Sequence, residues 1–391
     1  MIRRWRQTRR RHFMSVALAF ALTACATSTN PSTATPSSTN APSVSEASAS
    51  VGAFPLGTAV RINCGDSSTL FSVSGRYLAC DDVIYSWPGL RPGPRIASGF
   101  AGWGSMDGTD YALSQNLQNG QILAPDGTTQ AVPIEDAPGR ITLQWSATGD
   151  SVWIASGIGT TTVTLSSWEA GSSVRRIGTI TVESLTPTSV TASPNSRWLL
   201  AYSRTECTSG SPVANSGCVR FALVEGEGTK PVYERTAGSI MDAWVNDDGS
   251  HAFTTFTRSA VSVWYGRASQ RAALIAEGIR VLPVDSTSIA IVDQGGVSII
   301  DVRRGNRREV PADAVRDPSQ TIGLSAGMRW IAAYDKSAST IVFTSLRGQS
   351  QSFAVPVDSA TTPSVIWSPD ERFALVFTGP PIGTAVVRLA D

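Results

Sequence analysis

A strand–turn–strand cassette recurs eight times along this chain. Its clearest copy is Ile366-Trp367-Ser368-Pro369-Asp370-Glu371-Arg372-Phe373-Ala374-Leu375-Val376-Phe377: an apolar run, a short polar turn, and a second apolar run. Anchors in the place of Trp367 stand at Phe71, Trp103, Trp145, Ala192, Trp244, Leu282 and Leu324, at spacings of 32, 42, 47, 52, 38, 42 and 43 residues. A unit of this length is one small sheet. It cannot bury both of its faces alone and must stack on its neighbours. The repeat therefore constrains the fold more than any single motif does.

Within a repeat the pattern reads strand, tight turn, strand, loop, strand. In the third copy Ile141-Thr142-Leu143-Gln144-Trp145 meets the turn Ala147-Thr148-Gly149-Asp150, and Ser151-Val152-Trp153-Ile154-Ala155 resumes. Gly75, Gly108, Gly149, Gly249 and Gly327 fall in the same part of five turns, where positive φ is expected. Third strands are expected at 161–165, 219–224, 260–264, 297–302, 340–346 and 385–389, all β-branched or apolar. Outer fourth strands are expected at 176–177, 231–233 and 352–355. The last repeat stops after its third strand, whereas residues 54–62 form an apolar run before the first repeat. Adding that run to the last repeat would close a ring and leave no unpaired ring edge. The fold class is thus all-β: a single β-propeller of eight four-stranded blades closed by an N-terminal strand. The 32-residue first spacing is tight for four strands and leaves a seven-bladed ring open.

The first 25 residues read as a processing segment. Arg3, Arg4, Arg6, Arg9, Arg10 and Arg11 make a basic region, and Met14 to Ala24 an apolar stretch too short to span a bilayer. It ends in Leu22-Thr23-Ala24-Cys25, which resembles the lipobox of bacterial lipoproteins. The resemblance implies a fatty-acylated Cys25 at the mature N-terminus, hence a cell-membrane protein held on the extracytoplasmic face. Arg10-Arg11-His12-Phe13-Met14 also resembles a twin-arginine export signal, so the export route stays open. Residues 26–50 contain only Ala, Ser, Thr, Pro and Asn apart from Val44 and Glu46. Such a tract buries too little apolar surface to offset its ordering entropy and is expected to act as a disordered linker. At this length it spans about 25–30 Å root-mean-square. Residues 51–391 are left as one propeller domain.

Removing the leader removes six arginines and no acid, so the mature chain carries 26 basic and 31 acidic residues, a net of −5. That balance argues against a nucleic-acid partner. No basic run follows the anchor to suggest headgroup binding. Cys64, Cys80, Cys207 and Cys218 remain, an even number in a chain expected to be exported. Of three pairings the local one, Cys64–Cys80 with Cys207–Cys218, is the simplest.

The turn Trp367-Ser368-Pro369-Asp370-Glu371-Arg372-Phe373-Ala374 resembles the repeat of TolB-like propellers. Trp145-Ser146-Ala147-Thr148-Gly149-Asp150 and 71–79 are weaker copies. The closing Trp-Asp dipeptide of WD repeats does not occur. The resemblance implies a structural role for the turn residues and no catalytic one.

Signals of chemistry are sparse. The mature chain has one histidine, His251, read as a turn-edge residue with one backbone hydrogen bond. No Gly-x-Ser-x-Gly elbow occurs. Neither Cys-x-x-Cys spacing nor histidine clustering suggests a metal, and no cofactor is implied. Asn246-Asp247-Asp248-Gly249-Ser250 lacks the distal Glu of a calcium loop and reads as a turn. Glu225-Gly226-Glu227-Gly228 reads as a hairpin tip. Most tryptophans are expected between blades, with Trp87 and Trp168, at loop starts, the pair expected to be exposed. The leading expectation is a tethered, non-catalytic module that binds an envelope protein or glycan. The alternative is a hydrolase or lyase using carboxylates at the channel mouth.

Overall fold

The computed structural model describes residues 55–390 except 63, 65–69, 97–98, 117–118, 135–138, 182–186, 203–220, 226–232, 236–238, 257–259, 269, 286, 313–314, 316, 347–351, 358–361 and 379–383. Eight four-stranded antiparallel sheets follow one another along the chain. Their first strands, blades 1 to 8 in order, are Leu70–Phe71, Phe100–Met106, Arg140–Trp145, Ser189–Ala192, Ser239–Val245, Arg280–Asp285, Thr321–Leu324 and Ser364–Trp367. First strands of successive blades touch at blades 1/2, 2/3, 4/5, 6/7 and 7/8, so they lie innermost, around the axis. The ring has eight blades, not seven. The short first spacing is absorbed by a first strand of two residues in blade 1. The expected third strands are present with shifts of one to three residues at their ends. Fourth strands exist in every blade, including Arg91–Arg95, Thr129–Val132, Ala273–Gly278 and Asn306–Glu309, which the pattern did not single out. The outer strand expected at 176–177 is longer, Arg175–Thr181.

Blade 8 takes its fourth strand from the other end of the chain. Ala59–Ile62 pairs antiparallel with Thr384–Arg388, in the register Ala59↔Val387 to Ile62↔Thr384. The bond from Gly57 N to Arg388 O (2.8 Å) extends the pairing by one step. Just beyond this strand, Cys64 forms a disulfide with Cys80 at the end of the second strand of blade 1 (Tyr77–Cys80), with Cα atoms 5.3 Å apart. The Thr384 hydroxyl donates to Cys64 O (3.1 Å), which holds the crossing segment against blade 8. Cys25, Cys207 and Cys218 lie outside the described residues.

The core is not one mass. Eight buried apolar clusters occur, one at each blade–blade interface; Leu78, Phe373, Leu375, Phe377 and Val386 form the one that joins blade 8 to blade 1. Aromatic anchors cross these interfaces. Trp103 Nε1 donates to Leu70 O of the preceding blade (3.0 Å), and Trp145 Nε1 to Gly102 O (3.2 Å). A Cβ on Gly104 would fall 2.2 Å from the Trp145 ring, so glycine is required there to let the indole lie against the strand.

In five blades the hairpin between first and second strands is set by a serine right after the anchor. Ser72, Ser146, Ser193, Ser325 and Ser368 are all buried. Each Oγ accepts the backbone N–H five residues on, from Tyr77, Ser151, Trp198, Trp330 and Phe373 respectively, at 3.0–3.3 Å. Ser368 Oγ in turn donates to Asp370 Oδ1 (2.5 Å), and Ser193 Oγ to Asn195 Oδ1 (2.8 Å). The fourth residue of the turn is left-handed: Gly75, Gly149 and Gly249, but also Ser196, Glu371 and Met328. Gly327, expected in that role, yields it to Met328 (φ 55°). Blade 2 uses a different, two-residue turn, Asp107-Gly108, with both residues at positive φ.

Two outcomes test this account. Removing a buried hydroxyl strands the N–H it served, so Ser368→Ala should cost about 1–3 kcal/mol in denaturant unfolding. Lys336→Ala, at an exposed turn, should stay within about 0.5 kcal/mol. Deleting residues 26–50 should leave the melting temperature nearly unchanged, whereas deleting 26–62 should lower it sharply or cause aggregation. Equal melting of the two truncations would mean that the N-terminal strand closes nothing.

Candidate functional site

The topology gives the ring two different faces. Hairpins between first and second strands, and loops between third and fourth, lie on one face, here called the lower. Loops between second and third strands, and the connections between blades, lie on the upper face. The chain joins the ring from below, because Gly57 bonds to Arg388 and Leu389 N bonds to Arg372 O in the lower hairpin of blade 8. Gly57 also packs on the Phe353 ring of blade 7.

Lower hairpins are linked blade to blade. Ser74 donates through its backbone N–H (3.2 Å) and its hydroxyl to Asp110, Asn195 N donates to Asp247 Oδ1 (2.8 Å), and Gly327 N donates to Glu371. The Asn246 to Ser250 segment therefore works as a turn. Asn246 Nδ2 donates to Ser250 Oγ (2.8 Å) and to Arg303 O of blade 6 (3.0 Å), and Asp248 accepts from Ser250 N (2.9 Å).

On this scaffold blades 5 to 7 carry a rim of arginines. Arg267 and Arg271 lie in the lower loop of blade 5, Arg303 and Arg304 in that of blade 6, Arg308 on the outer strand of blade 6, and Arg329 in the hairpin of blade 7. All are exposed except half-buried Arg329. Contacts between neighbouring loops join the members of the rim. Tyr265 Oη donates to Arg303 O (3.2 Å), Ala268 N donates to Gly249 O (2.9 Å), and the Arg308 guanidinium meets Met328 Sδ. Asp301 Oδ1 is engaged by the backbone N–H groups of Arg303 (2.8 Å) and Arg304 (3.1 Å), so it caps the loop. Among the described residues none of Arg271, Arg303, Arg304, Arg308 and Arg329 is in an ion pair; Arg307, by contrast, pairs with Glu309 (2.8 Å) and Asp293 (3.7 Å).

His251 is fully buried, with Nδ1 3.3 Å from Gly249 O and its ring 5.2 Å from that of Phe221. Trp87 and Trp168 are not the exposed pair expected. Trp168 is buried (4% exposed) and its Nε1 donates to Ser172 O (3.2 Å). Trp87 is half-buried between Phe71 (4.9 Å) and Phe373 (5.1 Å), plugging the interface of blades 1 and 8. Both stand at loop starts in sequence, and residues of their own blade together with the neighbouring blade cover them. Of the hairpin tip at Glu225, residues 226–228 lie outside the described residues. No group of three or more His, Cys, Asp or Glu side chains among the described residues is placed to hold a metal. No helix of the described residues is long and apolar enough to cross a membrane.

Five turn aspartates are held below the usual carboxylate range. The Ser250 hydroxyl and N–H hold Asp248 below the usual range, helped by Arg267. Burial of Asp150 works against ionisation, but hydroxyls of Thr148 and Ser146 outweigh it and its value is lowered. Asp126, Asp317 and Asp335 are likewise lowered, chiefly by hydrogen bonds from Thr128, Ser319 and, for Asp335, Ser337 and Ala338 N. Each is an ionised turn-closer. Its stabilising effect is present above the unfolded value of 3.8 and is lost as pH falls through the lowered folded value.

By its own strand pairing the chain is an eight-bladed β-propeller, a class that commonly serves as a protein-interaction scaffold. Similar solved structures include a eukaryotic initiation factor (16% identity, 84% of this chain and 87% of that chain covered, TM-score 0.49). The β-propeller domain of Myceliophteria thermophila Cps50 (Swd1) is another (11% identity, 86% and 99% covered, TM-score 0.46). A third is the Neurospora crassa Pan2 WD40 domain (10% identity, 84% and 92% covered, TM-score 0.43). No protein-family model matches the chain, and no curated protein matches it in sequence.

The placement of Trp87 is directly testable. Trp87→Ala should empty part of the blade 1/8 interface and cost about 2–4 kcal/mol in denaturant unfolding. A change below about 0.5 kcal/mol would mean that the indole is a surface group.

Proposed function

We propose that the chain is an extracytoplasmic lipoprotein, held to the cell membrane by a fatty-acylated Cys25, whose propeller is a non-catalytic scaffold for an envelope protein or glycan. The observation that carries the reading is where the chain meets the ring. Residues 55–62 rise from the lower face into the closing strand, so a tether ahead of them pulls on that face and leaves the upper one turned away. The lipobox resemblance of Leu22-Thr23-Ala24-Cys25 and the TolB-like turn of blade 8 support the same reading.

Contact with a partner is best supported on the upper face of blade 5. Phe256 and Ile279 are each 41% exposed there, at the ends of the two strands that flank Val261. Large apolar side chains left in solvent are a common mark of contact surfaces. Carboxylate chemistry would call for an acid held protonated, whereas the shifted carboxylates above lie on the ionised side.

Two measurements test the two halves separately. Cys25→Ala should release the protein from the membrane fraction or leave its leader uncleaved; unchanged acylation and membrane retention in that variant would remove the anchor. Immobilised propeller carrying Phe256→Ser and Ile279→Ser should melt like the wild type but lose the envelope species that wild type retains. Equal retention by both proteins would remove the upper face of blade 5 as the contact.

A further inference from the structure

We propose that the arginine rim of blades 5 to 7 rests on anionic lipid headgroups and so orients the tethered propeller with its lower face on the membrane. The proposal builds on the Cys25 anchor of the preceding section. Its own support is a juxtaposition that only the folded ring creates. Arg267 and Arg271 from blade 5, Arg303, Arg304 and Arg308 from blade 6, and Arg329 from blade 7 form one surface, on a chain whose expected mature net charge is −5. Like charges gathered without ion-pair partners repel one another and cost stability, unless an outside anion gathers against them.

The rim lies on the face where the chain joins the ring, beside the junction itself. Gly57 sits on Phe353 of blade 7, and blade 7 packs directly against blade 6. A linker of the length of residues 26–50 spans about 25–30 Å, so this face stays within reach of the bilayer to which its N-terminus is attached. Electrostatic attraction to a charged leaflet acts over roughly one Debye length, about 10 Å at 0.1 M salt, which the tether makes accessible.

The chemistry of the rim fits headgroup phosphate. Guanidinium groups bind phosphate oxygens in bidentate fashion and stay charged at any physiological pH. The outer strand of blade 6, Asn306–Glu309, is exposed along its whole length and carries no apolar residue, so the contact is electrostatic rather than inserted. Of the acids beside the rim, Asp248 interacts with Arg267, Glu309 is paired with Arg307, and Asp301 accepts backbone N–H groups. To the lipid anchor proposed on Cys25 the rim adds a charge-based contact that orients the ring.

The test uses the chain from residue 26 to 391. Every described strand lies between Ala59 and Arg388, so this chain keeps the complete ring. It is sedimented with vesicles of phosphatidylcholine alone or mixed with phosphatidylglycerol. Wild type should sediment with the mixed vesicles at low salt, stay in solution with phosphatidylcholine alone, and be released by high salt. The double variant Arg303→Glu, Arg304→Glu should partition more than about tenfold more weakly, while Arg140→Glu on the opposite face should stay within about twofold of wild type. Unchanged melting temperatures would show that both variants keep the ring.

Equal sedimentation of the double variant and wild type would overturn the proposal, as would equal binding to uncharged vesicles. Rim-dependent binding of polyglutamate without any binding to anionic vesicles would overturn it too, and would make the rim a dock for an acidic protein. Mass spectrometry of the full chain recovered from membranes reads the anchor independently. Acylated Cys25 without rim-dependent sedimentation sinks the rim alone. Rim-dependent sedimentation with unmodified Cys25 sinks the anchor and leaves the lipid contact standing.

Discussion

A ring built from sheets has one junction that the chain cannot make by simply continuing. Seven blades take their four strands in order, but the eighth runs out after Thr384–Arg388 and would present a row of unpaired backbone groups. Ala59–Ile62 fills that edge. Through it the first described strand holds the last, and the cluster around Phe373 and Leu78 can bury itself between blades 8 and 1. The Cys64–Cys80 bond fastens the same place a second time, tying the exit of the closing strand to blade 1. The bond closes a short loop, with a sequence separation of 16, and so restrains the unfolded chain locally, between the closing strand and blade 1.

Around that seam the blades repeat one local solution. A buried serine directly after the anchor satisfies the N–H that the hairpin would otherwise leave without a partner, and an Asp or Asn in three of the copies takes the hydroxyl proton in turn. The device fixes the register of the two inner strands, and so fixes which side chains enter the interfaces on either side. Interface packing then depends on size matching, as where Gly104 makes room for Trp145. Local turn chemistry and long-range packing thus specify the same geometry.

The same arrangement separates the faces. Asp110, Asp247 and Glu371 stitch lower hairpins together at three blade junctions, on the face that also receives the chain from its N-terminal side. Arginines fixed on that face act together rather than as scattered surface charges. The upper face is freed from closing the ring and can vary in its loops, which is how one propeller scaffold comes to serve many different partners.

The eight anchors, the polar turns that follow them and the run before the first repeat were all legible in the chain. Each is a local pattern whose meaning follows from strand periodicity and from the need to pair every sheet edge. Those patterns pointed to a propeller and its closing strand; the blade count and the choice of Cys64–Cys80 among three pairings were settled by the folded ring. They did not determine exposure. Trp87 and Trp168 looked like loop residues until a neighbouring strand and turn covered them. Met328 took a left-handed position that the adjacent Gly327 seemed to claim, because the serine-centred turn sets the position and not the residue type. The arginine rim was invisible as a run, since its members come from three blades separated by up to 62 residues, Arg267 to Arg329. Sequence fixes what pairs along one chain direction; which side chains share a surface is decided only when the ring closes and sets separate blades side by side.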